Sequence, residues 1–189
     1  MTLRDRLEWA RAFMLQATLD CNLARALRDI VRREDVNHPL GSRPDLYIPA
    51  IYAYCQQAIE KALKAWLWFS TGTIPRKHNP INSLLHSRQM KQANRPGHLD
   101  ILDRNNTPIR RILDMAPGGS LDRARLEDLL NQPNTEYPFR TSGGDIKLPC
   151  QEITIDDVVA ALRITKPLVT SVEKSLEVAG LGLMHADDL

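Results

Sequence analysis

The amino-acid sequence predicts an all-α protein, an up-and-down bundle of long antiparallel helices with short extra helices, and three observations carry that expectation. From Leu3 to Val31 the residues Leu3, Leu7, Ala10, Met14, Ala17, Cys21, Ala24 and Val31 repeat at near-heptad spacing, with no Gly or Pro in the run. From Ile51 to Leu67 the residues Ile51, Cys55, Ala58, Ile59, Ala62, Leu63, Trp66 and Leu67 form a second stripe at three-and-four spacing. The segment joining the two is short and broken by His38-Pro39, Gly41 and Pro44, so the second helix returns along the first.

With 189 residues the chain is long enough for one domain with a real core, and we read residues 1–189 as a single domain. A content of 43% hydrophobic and 25% charged residues fits a globular protein and argues against a disordered or fibrous one. The formal net charge is only +2, so attraction for an anionic partner has to come from local clusters of Arg and Lys. The cysteines Cys21, Cys55 and Cys150 are odd in number and lack close Cys or His neighbours, so we expect no metal site and no cofactor. The opening MTLRDRLEWARAF carries charge where a signal peptide needs an apolar run, and no stretch has the roughly 18 apolar residues of a membrane span. The expected location is the cytoplasm.

In the first helix Arg4, Arg6, Glu8, Arg11, Arg25 and Asp29 form the expected outer face. The second helix should start between Pro44 and Pro49, since a proline deeper inside would delete a backbone hydrogen bond. It runs to Thr71, with Gly72 as its stop. Gln56, Gln57, Glu60, Lys61 and Lys64 should make its polar face, Glu60 standing one turn before Lys64 in the favourable order.

Asn79-Pro80 reads as a cap and first helical residue of a short helix through Leu84 and Leu85. Between Arg95 and Asn131 the breaks at Pro96-Gly97, Asn105-Asn106, Thr107-Pro108 and Pro117-Gly118-Gly119 leave room for short helices near 98–103, 108–114 and 121–131, with Thr107 and Ser120 as caps. Tyr137 to Cys150 is the one place for a small hairpin, near 137–148, because short β-prone runs flank Ser142-Gly143-Gly144-Asp145. Thr154, with Asp157 three residues on, caps a last helix. Its expected buried stripe is Ile155, Val158, Val159, Leu162, Val169, Val172 and Leu176, with a kink at Pro167.

The run Gln56-Gln57-Ala58-Ile59-Glu60-Lys61-Ala62-Leu63-Lys64-Ala65, followed after Gly72 by a basic residue and His78, resembles the HEPN family, named for nucleotide-binding domains of higher eukaryotes and prokaryotes. The resemblance covers residues 48–85 and extends loosely to most of the chain. Relatives of this type usually read Arg-Tyr-Pro and His-Asp where this chain has Glu136-Tyr137-Pro138 and His78-Asn79, and Arg140 stands near enough to replace the missing cation. The resemblance implies a helical bundle, frequent homodimers, and either ligand binding beside a nucleotidyltransferase or a ribonuclease activity in toxin-like members. A homodimer also follows from the two long stripes and from Trp9, Trp66 and Trp68, which offer more apolar surface than one small bundle hides.

The ligand-binding candidates are therefore Lys61, Lys64, Arg76, Lys77, His78, Tyr137 and Arg140. A cationic tripeptide immediately before a helix start, Arg76-Lys77-His78, suits a phosphate. Lys61 and Lys64 read more readily as a solvated face paired with Glu60 than as ligand contacts. The ribonuclease branch resembles an Arg placed four to six residues before a His. Here only Arg32 or Arg33 with His38 spells it, ahead of the central helix rather than late in the bundle, and Arg is frequent enough to produce that spacing by chance. The favoured function is a nucleotide- or RNA-binding module in a nucleotidyltransferase, toxin-antitoxin or defence setting. The alternatives are a metal-independent ribonuclease and a bundle that binds only protein.

Overall fold

A computed structural model of the chain describes residues 2–32, 44–73, 80–81, 84, 96–115, 139–140 and 143–186. The elements are α1 (Leu3–Arg32), α2 (Pro44–Thr71), α3 (Gly97–Arg104), α4 (Asn106–Asp114), β1 (Phe139–Arg140), β2 (Ile146–Lys147), α5 (Pro149–Glu152) and α6 (Ile155–Ala186). The protein is the expected all-α bundle, and among the described residues the one strand pair is a two-residue antiparallel hairpin.

The stripe of α1 does what its spacing demands. Leu7, Ala10, Met14, Ala17, Cys21 and Ala24 are all buried, most of them against α2 and α6. Small residues at Ala10, Ala17 and Ala24 let the helices approach closely. Leu3, at the end of the stripe, is exposed. The start of α1 is closed by a reciprocal pair: Thr2 N–H donates to Asp5 Oδ2 at 2.8 Å and Asp5 N–H donates to Thr2 Oγ1 at 3.1 Å.

Helix α2 is the axis of the fold, packed on α1, α4, α5 and α6. It begins at Pro44, inside the expected window, and accommodates Pro49 near its N-terminal end. Its apolar stripe is buried throughout, Leu63 completely, and a leucine removed from water to that extent contributes about 1.5–3 kcal/mol. The expected polar face is not a solvated one. Gln56 and Glu60 are buried, because α2 has neighbours on several sides. Gly72 ends the helix at φ +70°, donating its N–H to Trp68 O at 2.9 Å. A Cβ there would lie 2.7 Å from the guanidinium carbon of Arg6, so that arginine folds over the end of α2 instead of standing on an outer face.

Ile81 and Leu84 are helical and buried, in keeping with a helix after Pro80; the expected helix near 121–131 and the cap at Ser120 lie outside the described residues. The two expected short helices near 98–103 and 108–114 are α3 and α4. Thr107 is not a cap but lies within α4, whose flanking residue is Asn105. The Asn105 side chain turns back and donates to Ile101 O at 2.9 Å, serving the end of α3.

Helix α6 continues through Pro167 to Ala186. Thr154 and Asp157 form the expected box, with Thr154 N–H to Asp157 Oδ2 at 3.0 Å and Asp157 N–H to Thr154 Oγ1 at 3.2 Å. Of the expected stripe Val158, Val169, Val172 and Leu176 are buried, Val159 and Leu162 are half-buried and Ile155 is exposed, while Ala161, Ile164, Thr165 and Leu168 are buried beside them. The sequence offers apolar residues on two adjoining faces of α6, and packing against α2, α1 and α3 selects between them. The tryptophans differ in burial. Trp66 is buried, tilted against Phe69 with ring centroids 5.7 Å apart, and Trp68 is half-buried, so of the three only Trp9 is exposed.

Candidate functional site

The candidate cations of α2 sit in two hydrogen-bonded clusters on neighbouring faces of one helix. Lys64 Nζ donates to Glu60 Oε1 at 2.7 Å, and Gln56 Nε2 donates to Glu60 Oε2 at 2.8 Å. Spacing of four residues places Gln56, Glu60 and Lys64 in one row, so each reaches the next along the helix. Both charged side chains are nearly enclosed, at 13% and 11% exposure, which makes this an ion pair removed from most of the solvent. In the second cluster Lys61 Nζ donates to Asp20 Oδ2 at 2.5 Å and to Gln57 Oε1 at 3.5 Å, while Gln16 Nε2 donates to Asp20 Oδ1 at 3.1 Å. Asp20 is buried beside Cys21 of the α1 stripe, and Lys61 crosses from α2 to neutralise it.

Each lysine is thus balanced by a carboxylate. Lys64 belongs to an interior pair. Lys61, at 28% exposure, sits at the rim, where its ammonium can take a further acceptor. Arg140 lies in β1 opposite Ile146. Arg76, Lys77, His78 and Tyr137 lie outside the described residues, as do Arg33 and His38. Of the candidates, then, the structure brings Lys61 and Lys64 together on α2.

Other polar residues were not singled out by the sequence. His98 of α3 is fully buried, with its ring edge-on to Trp66 at a centroid distance of 4.5 Å. Its Nδ1 lies 3.0 Å from Ser175 Oγ, whose own hydrogen is donated to Ser171 O at 2.8 Å. The serine can therefore only accept, so Nδ1 carries the proton and Nε2 is left as a buried acceptor with no donor among the described residues. Burial pushes the imidazole down to about 4, so it is neutral near pH 7. A neutral, enclosed ring joining α3 to α6 and α2 serves packing rather than proton transfer. The thiol of Cys55 is pushed up to about 12 by burial, and Cys21 is raised for the same reason, so neither is a nucleophile near neutral pH.

A groove of about 250 Å³ runs between α1 and α6, lined by Arg11, Met14, Leu15, Thr18, Glu173, Leu176 and Glu177. It has one arginine and two glutamates at its edges and an apolar floor, so it is not a cup for an anion. Among the described residues no group of His, Cys, Asp and Glu is placed to hold a metal ion, and no helix is long and apolar enough to cross a membrane.

Residues 45–113 match the HEPN domain family. The matched span holds α2 with Lys61 and Lys64, the Arg76-Lys77-His78 tripeptide, and α3 and α4. No curated protein and no solved structure gives a significant match.

Proposed function

The chain carries a HEPN domain at residues 45–113, a nucleotide- or RNA-related module, and from that premise we propose that it binds a nucleotide or RNA phosphate without itself making or breaking a bond. The observation that carries the reading is the coincidence of the family match with the cationic run Arg76-Lys77-His78, which follows the stop at Gly72 and precedes Pro80. In this reading Arg76, Lys77 and His78 hold the phosphate, with Tyr137 and Arg140 beside them. Lys61 contributes from the rim of α2, and Lys64 supports the site through Glu60. The proposed setting is a cytoplasmic homodimer, built from a single domain over residues 1–189. Its proposed partner is a nucleotidyltransferase or another component of a toxin-antitoxin or defence pair.

The test is incubation of the purified chain with labelled nucleotide and with total RNA, without added metal and over a range of salt. Binding that falls as salt rises, and that is weakened in Lys77→Ala and His78→Ala, is expected. RNA cleavage that is lost in His38→Ala would replace the binding module by a ribonuclease. Failure to bind either ligand would leave a bundle that recognises protein.

A further inference from the structure

Arg6, near the start of α1, is half-buried, and its guanidinium lies across the stop of α2. The guanidinium carbon, Nε and Nη2 lie 2.7, 2.9 and 2.9 Å from the point where a Cβ on Gly72 would stand, so the missing side chain of that glycine is the space the arginine fills. Its Nε is enclosed and has no acceptor among the described residues. Its terminal nitrogens are not enclosed, and they too have no partner among the described residues. An arginine carries five N–H donors and a charge it cannot shed, so a guanidinium pinned at its neck with every donor idle is costly to keep. One turn back on the same side of α2, the indole N–H of Trp68 is also enclosed without an acceptor.

Nothing nearby answers the charge. Asp5 and Glu8 stand one and two residues from Arg6, spacings that do not share a helical face, and the Asp5 carboxylate is engaged with the backbone N–H of Thr2. Nor do the helix ends supply it: α1 begins where α2 stops, so the positive end of one dipole lies beside the negative end of the other and the two largely cancel. This corner of the bundle therefore has donors and a positive charge to spare, and no acceptor to meet them.

The cationic run of the proposed function leaves from the same corner. Arg76 stands four residues beyond Gly72, and a chain spans at most about 3.6 Å per residue, so the two Cα atoms are within about 14 Å of each other. We propose that Arg6 completes the phosphate site of Arg76, Lys77 and His78, its terminal nitrogens taking two oxygens of the phosphate of a nucleotide or an RNA. The planar fork suits two oxygens of one phosphate, and a stem already fixed on Gly72 loses little freedom when they bind. The inference rests on the binding reading above and adds to it a residue of α1, outside the span that matches the family. Gly72 then serves twice, ending α2 at φ +70° and making room for the guanidinium.

Fluorescence anisotropy on the full chain, with labelled ATP and with a labelled RNA oligonucleotide over a range of salt, tests it; the probe whose binding depends on Arg6 names the source of the phosphate. Arg6→Met keeps an unbranched stem against Gly72 and removes the donors. It should bind about ten-fold more weakly or worse, with a salt slope shallower by about one, and without ligand should melt no lower than the native chain. Arg6→Lys should fall between the two, and Arg4→Ala, exposed on another face of α1, should bind as the native chain does. If the native chain binds neither probe, the binding reading falls and the role of Arg6 with it. If it binds and Arg6→Met matches it, or binds more weakly with an unchanged salt slope as a packing role requires, the role of Arg6 alone is overturned. An equal loss in Arg4→Ala overturns it as well, since a general positive field then explains the effect.

Discussion

Helices α1 and α2 invert the usual distribution of side chains in opposite ways. On α1 the leucines Leu15, Leu19 and Leu23 stand outside, while on α2 the polar residues Gln56 and Glu60 lie inside. The difference follows from position. Helix α1 is an outer helix, with one face on the bundle and one left over. Helix α2 has neighbours on several sides, so even its polar row is enclosed. An exposed apolar residue costs a soluble protein little, whereas an enclosed charge is tolerable only with its partner in place. The polar row of α2 should therefore be far more sensitive to substitution than the apolar face of α1.

The largest effect is expected at Glu60. Glu60→Ala removes the carboxylate that holds both Lys64 and Gln56, leaving an enclosed ammonium without its counter-charge, and loss of one partner of a buried ion pair typically costs about 3–5 kcal/mol. Denaturant unfolding monitored by circular dichroism measures it. The double replacement Glu60→Leu with Lys64→Met should recover most of that loss, since an apolar pair of similar volume needs no counter-charge. Equal destabilisation by Leu19→Ala on α1 would erase the contrast between the two helices.

The second effect sharpens the same contrast through pH. His98 lies against Trp66 of α2, and its folded pKa of about 4 lies below the ordinary 6.5. For a base depressed in this way the unfolded chain takes up a proton first. The folded state therefore keeps its full stability above about pH 6.5 and loses it progressively as pH falls towards 4. Integrated over that window the loss is on the order of 3 kcal/mol. Urea midpoints measured from pH 7 to 4 should fall accordingly, and His98→Gln should flatten the profile. A native profile as flat as that of the variant would show that the imidazole is hydrated in solution.

Much of the frame is legible in the letters, and the unreadable parts have physical causes. The heptad stripe of α1, the stop at Gly72 and the Thr154–Asp157 box are local signals, set by spacing or by a backbone preference that no distant contact can change. The burial of Asp20, Gln56 and Glu60 is not local. Four-residue spacing of polar groups reads as a solvent face, and only the arrival of other helices encloses it. His98 stands in a stretch punctuated by Pro96 and Gly97, where no periodicity marks a face. The stripe of α6 is legible at Val158, Val169, Val172 and Leu176 but not at Ile155, because apolar residues occupy two adjoining faces. At the candidate site the letters paired Lys64 with Glu60 correctly, as i and i+4 neighbours on one helix. The link from Lys61 to Asp20 joins two helices and had no sequence signal.

The smallest effect is expected where polar groups pair at a helix end in contact with water. The carboxylate of Asp157 is partly buried, which by itself would raise its pKa. The hydrogen bonds from the backbone and hydroxyl of Thr154 and the guanidinium of Arg111, 3.1 Å away, outweigh that burial and hold it below the usual carboxylate value. A depressed carboxylate contributes stability that is present above the unfolded pKa near 3.8 and disappears as pH falls through the folded value. Thr154→Ala removes one acceptor for an orphan amide of α6 and one donor to Asp157, at a cost of about 1 kcal/mol near pH 7. The variant's deficit should shrink in acid, once Asp157 is protonated in both proteins. Thr2→Ala, at the fully exposed box of α1, should cost less still, since among the described residues Asp5 has no ion pair of the kind that Arg111 makes with Asp157. Unfolding of both variants at pH 7 and pH 3 gives the ranking. A Thr2 deficit larger than the Thr154 deficit would mean that the first turn of α1 carries more of the stability of the fold than the first turn of α6.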